Sequence, residues 1–175
     1  MRQVFYAGIG SRETPSDILK VMSDLAHKLA EKDYILRSGG ADAADSAFES
    51  GCDEVKGKKE IYIPWDGFND REHCENVISL SQLDVTIVNQ AMNMAKDHHP
   101  NWEACKRGAR LLHSRNCFQI LGVSLDKPVS FVICWTPKAS GSGGTGQAIR
   151  IAKDLKINVF DLADETALNR VKRFL

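Results

Sequence analysis

Three short stretches of this chain combine glycine with small hydroxyl residues in a way that suits an anion. They are Gly8-Ile9-Gly10-Ser11-Arg12, Ser38-Gly39-Gly40-Ala41-Asp42 and Gly141-Ser142-Gly143-Gly144-Thr145-Gly146. Glycine lets the backbone approach a ligand closely, and the free N–H groups of a helix N-terminus attract negative charge. One such stretch is also a plain tight turn; three that converge on one sheet edge point to a phosphate-bearing ligand. Arg12 follows the first turn and offers a planar fork for phosphate or carboxylate, with an ordinary surface arginine as the alternative. Asp42 and Asp45 stand three apart, on one helical face. They suit ribose hydroxyls, or one of them a general base, while Asp42 alternatively only caps a helix. Glu13 occupies the place where G-x-G-x-x-G requires its third glycine, which disfavours a nicotinamide dinucleotide.

Other chemistry is sparser. Lys106, Arg107, Arg110 and Arg115 make one segment locally basic, either a phosphate or nucleic-acid patch or a solvated helix face. Trp65, Trp102 and Trp135 are able to stack a base, or simply to pack. His98 and His99 precede Pro100 without carboxylate or cysteine at a metal-ligand spacing, so no metal is expected. No nucleophile elbow, Walker loop or H-E-x-x-H motif occurs, so the residues single out no catalytic group and no cofactor.

The elements that position these stretches alternate. Apolar runs at 2–7, 34–37, 59–64, 129–135 and 158–161 read as strands. Between them lie helical patterns: one from Thr14 as N-cap and Pro15 as first residue through Glu31, one from Asp42 to about Ser50 with Gly51 as its stop, and others at 69–81, 101–118, 147–155 and 165–173. Residues 83–95 satisfy both patterns; Val88, Met92 and Ala95 at helical spacing favour a helix. Strict alternation predicts an α/β fold, a Rossmann-like, doubly wound, mainly parallel sheet of about five strands with helices on both faces, spanning 1–175 as a single domain. In such sheets ligands bind outside the carboxyl ends of the strands, where all three turns fall.

The composition sets bounds. The chain has 175 residues, 43% hydrophobic and 26% charged, the profile of an ordinary globular core. Lysine plus arginine equals aspartate plus glutamate, 23 each, so there is no overall basic excess for gripping nucleic-acid backbone. No apolar run approaches the ~20 residues of a membrane-spanning helix. Five cysteines without a C-x-x-C pair, and no signal-like N-terminus, predict a cytoplasmic protein with reduced thiols.

Ala7-Gly8-Ile9-Gly10-Ser11-Arg12 and Arg37-Ser38-Gly39-Gly40-Ala41-Asp42, with Asp45 and Ala47, resemble the Rossmann-like core of DNA-processing protein A (DprA/Smf), although Ala44 replaces a motif glycine. Leu112-His113-Ser114-Arg115-Asn116 is similar to the M-H-x-R-K helix of the LOG (Lonely Guy) proteins, and Gly143-Gly144-Thr145 to part of their P-G-G-x-G-T-x-x-E loop. Together the motifs resemble the SLOG superfamily, and the pattern, with Cys134-Trp135-Thr136, is similar to small DprA-like proteins of tailed bacteriophages, which would place it in the host cytoplasm. The resemblance implies a bound nucleotide or nucleotide-derived small molecule, sensed or sequestered, and a homo-oligomer. It implies a site of Gly8, Gly10, Ser11, Arg12, Ser38, Gly39, Gly40, Asp42, Asp45, Arg115, Thr136, Gly143, Gly144, Thr145 and Gln147. Asn116 stands where LOG enzymes have lysine, and Gln147 where they have a catalytic glutamate. Glutamine carries no proton as an acid or base, so LOG-type N-glycosidic hydrolysis would need Asp42 or Asp45 instead. A DprA-like grip on single-stranded DNA would rest on Lys106, Arg107 and Arg110.

Overall fold

In the computed structural model, residues 3–175 are described. The strands are β1 (Val4–Gly8), β2 (Tyr34–Ser38), β3 (Lys59–Ile63), β4 (Val77–Ser79), β5 (Phe131–Cys134) and β6 (Asn158–Asp161). The main helices are α1 (Ser16–Glu31), α2 (Ala44–Glu54), α3 (Val85–Asp97), α4 (Arg107–Leu121), α5 (Gly143–Asp154) and α6 (Glu165–Lys172). The strands form one parallel sheet in the order β4-β3-β2-β1-β5-β6. The chain winds outward from β1 to β4, then crosses back to β5 on the other side of β1. The switch therefore lies between β1 and β5, and a crevice opens there at their carboxyl ends.

Two cores cover the two faces of the sheet. Met22, Leu25, Leu36, Phe48, Ile61 and Ile133 fill the side of α1, α2 and α6. Tyr62, Ala91, Phe118, Ile120, Val132 and Ile151 fill the side of α3, α4 and α5. With both faces buried, central strands are apolar nearly throughout, as in the Ile61-Tyr62-Ile63 run.

The fold matches the α/β expectation, with six strands rather than five. The extra strand lies in 69–81, which is not a helix. The segment begins with a single 3-10 turn, Phe68–Asp70, in which Asn69 and Asp70 have φ of 49° and 59°. It then forms β4, whose Val77 and Ile78 pair with Ile61 and Tyr62, and runs into a second 3-10 turn, Leu80–Gln82. Charged residues and His73 break any apolar helical stripe, and two β-branched residues suit a sheet edge instead. The 83–95 segment is helical, as its spacing predicts. The 101–118 helix starts late: Trp102–Ala104 is a separate 3-10 turn, and α4 begins at Arg107.

Helix starts also differ. Pro15, not Thr14, holds the N-cap place of α1, and the Thr14 hydroxyl donates to Ser11 O at 2.6 Å, bracing the first turn. Ala43 with φ 65° precedes α2, so Asp42 is not its cap. Gly51 does not stop α2 but lets it cross α1: a Cβ there would lie 2.0 Å from Ser23 O. Close approach, not chain reversal, is the reason for that glycine. Gly51→Ala should therefore push α1 and α2 apart and cost about 1–3 kcal/mol, the range for overpacking a core. Urea unfolding checks this, and an unchanged midpoint would refute the packing account.

Candidate functional site

The carboxyl ends of β1 and β2, the start of α5 and one face of α4 enclose a cavity of about 650 Å³. Its wall includes Gly10, Ser11, Arg12, Asp42, Asp45, Arg115, Gly143, Gly144 and Thr145. Nine residues read from sequence thus meet at one place: seven from the three glycine-rich stretches, Asp45 from α2 and Arg115 from α4.

Arg115 and Asp45 are the buried charges of this wall. Arg115 Nη1 donates to Gly39 O at 2.5 Å. The Gln119 amide, turned so that its oxygen accepts, takes Gly39 N–H and Arg115 Nε, each at 3.3 Å. A Cβ on Gly39 would lie 2.1 Å from Gln119 and 2.6 Å from Arg115, so only glycine admits α4 this close to β2. Burial pushes the Asp45 carboxyl above its ordinary pKa, while Arg115 and the N–H groups of Ala41, Gly39 and Gly10 pull the other way. Burial likewise lowers the Arg115 pKa, with Asp45 opposing. Both directions have one cause: water is excluded from either charge, and their mutual attraction only partly compensates.

The third stretch is not a loop before a helix. It is the first turn of α5, which begins at Gly143 rather than Gln147. Among the described residues Ser142 provides no side-chain cap, so helix geometry leaves the first amides without intrahelical acceptors. They stand at the cavity wall beside Gly144 and Thr145, an arrangement that favours an anion.

Other predicted residues frame the cavity without lining it. Ser38 Oγ donates to Gly8 O at 2.6 Å, locking β2 to β1. Gly40 O accepts Asn69 Nδ2 at 3.0 Å and Arg71 Nη1 at 2.9 Å. Arg71 also reaches Glu49 at 2.8 Å; burial opposes Glu49 ionisation, but Lys59 and Arg71 outweigh it and hold its carboxyl below the ordinary range. Thr136 Oγ1 bonds Asp161 and accepts Gly141 N–H at 2.9 Å, fastening the loop before α5. Gln147 is fully buried: its amide nitrogen donates to Ala95 O at 2.8 Å and its oxygen accepts Asn116 Nδ2 at 3.0 Å.

Sequence reasoning did not list Phe68, Asn69, Ala109, Leu112, Asn116 and Gln119 among the site residues, yet they line the cavity. Asn69 belongs to the segment read as helix, and Phe68 directly precedes it in the same 3-10 turn. On α4, Leu112 and Gln119 sit one helical turn from Arg115, and that spacing was their available signal, whereas Ala109 and Asn116 stand six residues and one residue from it. The basic run divides: Lys106 and Arg107 are exposed, whereas Arg110 lies over the Trp102 ring at 5.3 Å and donates to Trp102 O at 3.4 Å. His98 bridges Met94 O at 2.8 Å and Asp154 at 2.7 Å.

The geometry can be set beside solved structures. The molybdenum-cofactor (Moco) carrier protein of Chlamydomonas reinhardtii aligns over 91% of this chain and 75% of its own, with 14% identity and a TM-score of 0.55. DNA processing protein A of Helicobacter pylori, described for its single-stranded DNA binding mode, aligns over 90% of this chain and 64% of its own, with 18% identity and a TM-score of 0.59. The Streptococcus pneumoniae DprA aligns over 91% and 50%, with 15% identity and a TM-score of 0.52. The chain has the Rossmann-like fold of these proteins. It spans 64% and 50% of the two DprA chains, and at such identities the fold alone is shared. No protein-family profile and no curated protein sequence matches the chain. No helix among the described residues is long and apolar enough to cross a membrane.

The buried carboxyl gives a pH test. A carboxyl whose folded pKa lies above its unfolded value favours folding most below the unfolded pKa, and that contribution is lost as pH rises through the folded value. The stability of Asp45→Asn relative to the parent should therefore improve from acid to neutral pH. Denaturant midpoints across that range read it directly, and a gap that moves the opposite way would show that the fold needs the ionised carboxylate.

Proposed function

We propose that this protein binds a phosphorylated nucleotide or nucleotide-derived small molecule in the cavity at the β1/β5 switch. The observation that carries this reading is the uncapped, glycine-built first turn of α5, which shares one cavity wall with Arg12 and Arg115. Free amides and two guanidinium groups supply what a phosphate needs. Asp42, exposed at the rim, and Asp45, buried beneath it, supply acceptors for sugar hydroxyls. A volume of about 650 Å³ suits a nucleotide-sized ligand. The fold shared with a cofactor carrier and with a single-stranded DNA binder is compatible with a binding role.

The reading favours holding over cutting. Both ends of the Gln147 amide are engaged by the protein, so its position supplies no acid or base to a bound ligand. Hydrolysis would fall to Asp42 or Asp45, and release of free base from nucleoside monophosphates would reveal it. A DprA-like grip on single-stranded DNA has less support here, since Arg110 is held against Trp102 and Glu103. The neutral net charge supplies no overall basic excess for a strand.

A thermal-shift panel of nucleotides, cyclic nucleotides and ADP-ribose derivatives tests the proposal. A ligand at 100 times its Kd adds about 2.7 kcal/mol, and a chain of this size gains roughly 2–4 °C per kcal/mol. Arg12→Ala removes an exposed side chain and should leave the unliganded melting temperature unchanged. It should weaken binding of the phosphorylated ligand roughly 10- to 100-fold, the loss of one charge-assisted hydrogen bond. A flat panel, or equal affinity in Arg12→Ala, would defeat the proposal.

A further inference from the structure

We propose that His99, Cys105 and His113 form a binding site for one zinc-class divalent transition-metal ion beside the ligand cavity. The three come from different places: His99 follows α3, Cys105 follows the 3-10 turn Trp102–Ala104, and His113 lies in the middle of α4. One ligand atom of each lies within 4.8 Å of the others. Cys105 Sγ is 3.7 Å from His99 Nε2 and 3.9 Å from His99 Nδ1. The two imidazole rings are 4.3 Å apart between centres and tilted by 59°. A tetrahedral ion with bonds of about 2.0–2.3 Å holds its nitrogen and sulfur ligands roughly 3.3–3.8 Å apart. The cluster is close to that spacing, and small side-chain rotations complete it.

The surroundings prepare His113 for the task. The Gln147 nitrogen is committed to Ala95 O at 2.8 Å, so the amide oxygen faces His113 Nδ1 at 3.3 Å. An amide oxygen only accepts, which places the imidazole proton on Nδ1 and leaves the Nε2 lone pair free. Metal-binding histidines commonly have such an outer hydrogen bond. His99 Nδ1 accepts the Asn101 N–H at 3.1 Å and so carries a lone pair; coordination there replaces that bond and removes no proton from the ring. Cys105 binds as thiolate, and its proton leaves to solvent. Two nitrogens and a sulfur favour Zn²⁺ or Co²⁺ over Mg²⁺ or Ca²⁺. Three protein ligands leave a fourth position for water. His113 also lines the cavity, so the metal site and the ligand site share a wall. The spacing of these residues along the chain matches no common zinc motif, and only the fold brings them together.

The test uses the full chain, stripped with chelator and titrated with Co²⁺. The expected result is a one-to-one complex with a near-ultraviolet thiolate-to-cobalt charge-transfer band, displaced by one equivalent of Zn²⁺. Cys105→Ser should abolish the band, and His113→Gln should weaken Co²⁺ binding at least tenfold. Cys74→Ser, which removes an exposed thiol, should leave the spectrum unchanged. Alkylation of the unmodified protein adds a measurement that needs no variant: Zn²⁺ should protect Cys105, read by peptide mass. Absence of a stoichiometric complex, a band that survives Cys105→Ser or depends on Cys74, or an unprotected Cys105 would overturn the proposal. The readouts require no cavity ligand, so their failure would leave the nucleotide reading intact.

Discussion

Much of this structure depends on one constraint, the burial of the Arg115 guanidinium beneath the Gly39 carbonyl. A buried cation is tolerated only with acceptors close at hand. Here those are Gly39 O, the Gln119 amide and, opposing its desolvation, the Asp45 carboxyl. For the guanidinium to reach that carbonyl, α4 must lie against the end of β2, and residue 39 must lack a side chain. Once α4 is held there, Ala109, Leu112, His113 and Asn116 form a wall of the cavity. The arginine thus sets the pocket's geometry as well as its charge.

A second set of polar bonds fixes the other side. Asn116 donates to Gly144 O and to Gln147, which reaches on to Ala95, so α3, α4 and the start of α5 share one buried network. Thr136 and Asp161 fasten the loop between β5 and α5. Such fully satisfied networks rigidify their surroundings. The polar residues therefore divide into a frame that bonds protein and a smaller set left facing the cavity, which includes Arg12 and the first turn of α5; Ser11 and Asp42 do both, accepting from Glu13 N–H and Asn69 Nδ2. Pre-ordering of this kind reduces what a ligand must spend on arranging its own site.

The shared fold explains where the cavity lies but not what fills it. A doubly wound sheet opens a crevice at its switch point whatever the ligand. A cofactor carrier and DNA-processing proteins have the same architecture, so the distinction must come from side chains. In this chain those are two arginines and three carboxyls, Glu13, Asp42 and Asp45, around a helix N-terminus, with a histidine and cysteine trio at one wall.

By itself the sequence determined the alternation of strand and helix, hence the parallel sheet and the edge on which the glycine stretches meet. That information is local, carried by apolar periodicity and by glycine, and a parallel sheet with right-handed crossovers leaves few ways to assemble it. Asp45, Arg12 and the Gly143-Gly144-Thr145 turn were legible for the same reason. Only the tertiary structure decided that 69–81 supplies a 3-10 turn and an edge strand, because an edge strand is defined by its neighbour β3 rather than by its own pattern. Only the structure showed that Gly51 serves a helix crossing, that Gln147 faces the interior, and that His99, Cys105 and His113 meet. These are relations between distant segments, and side-chain type alone does not say which partner a group will find when two helices pack.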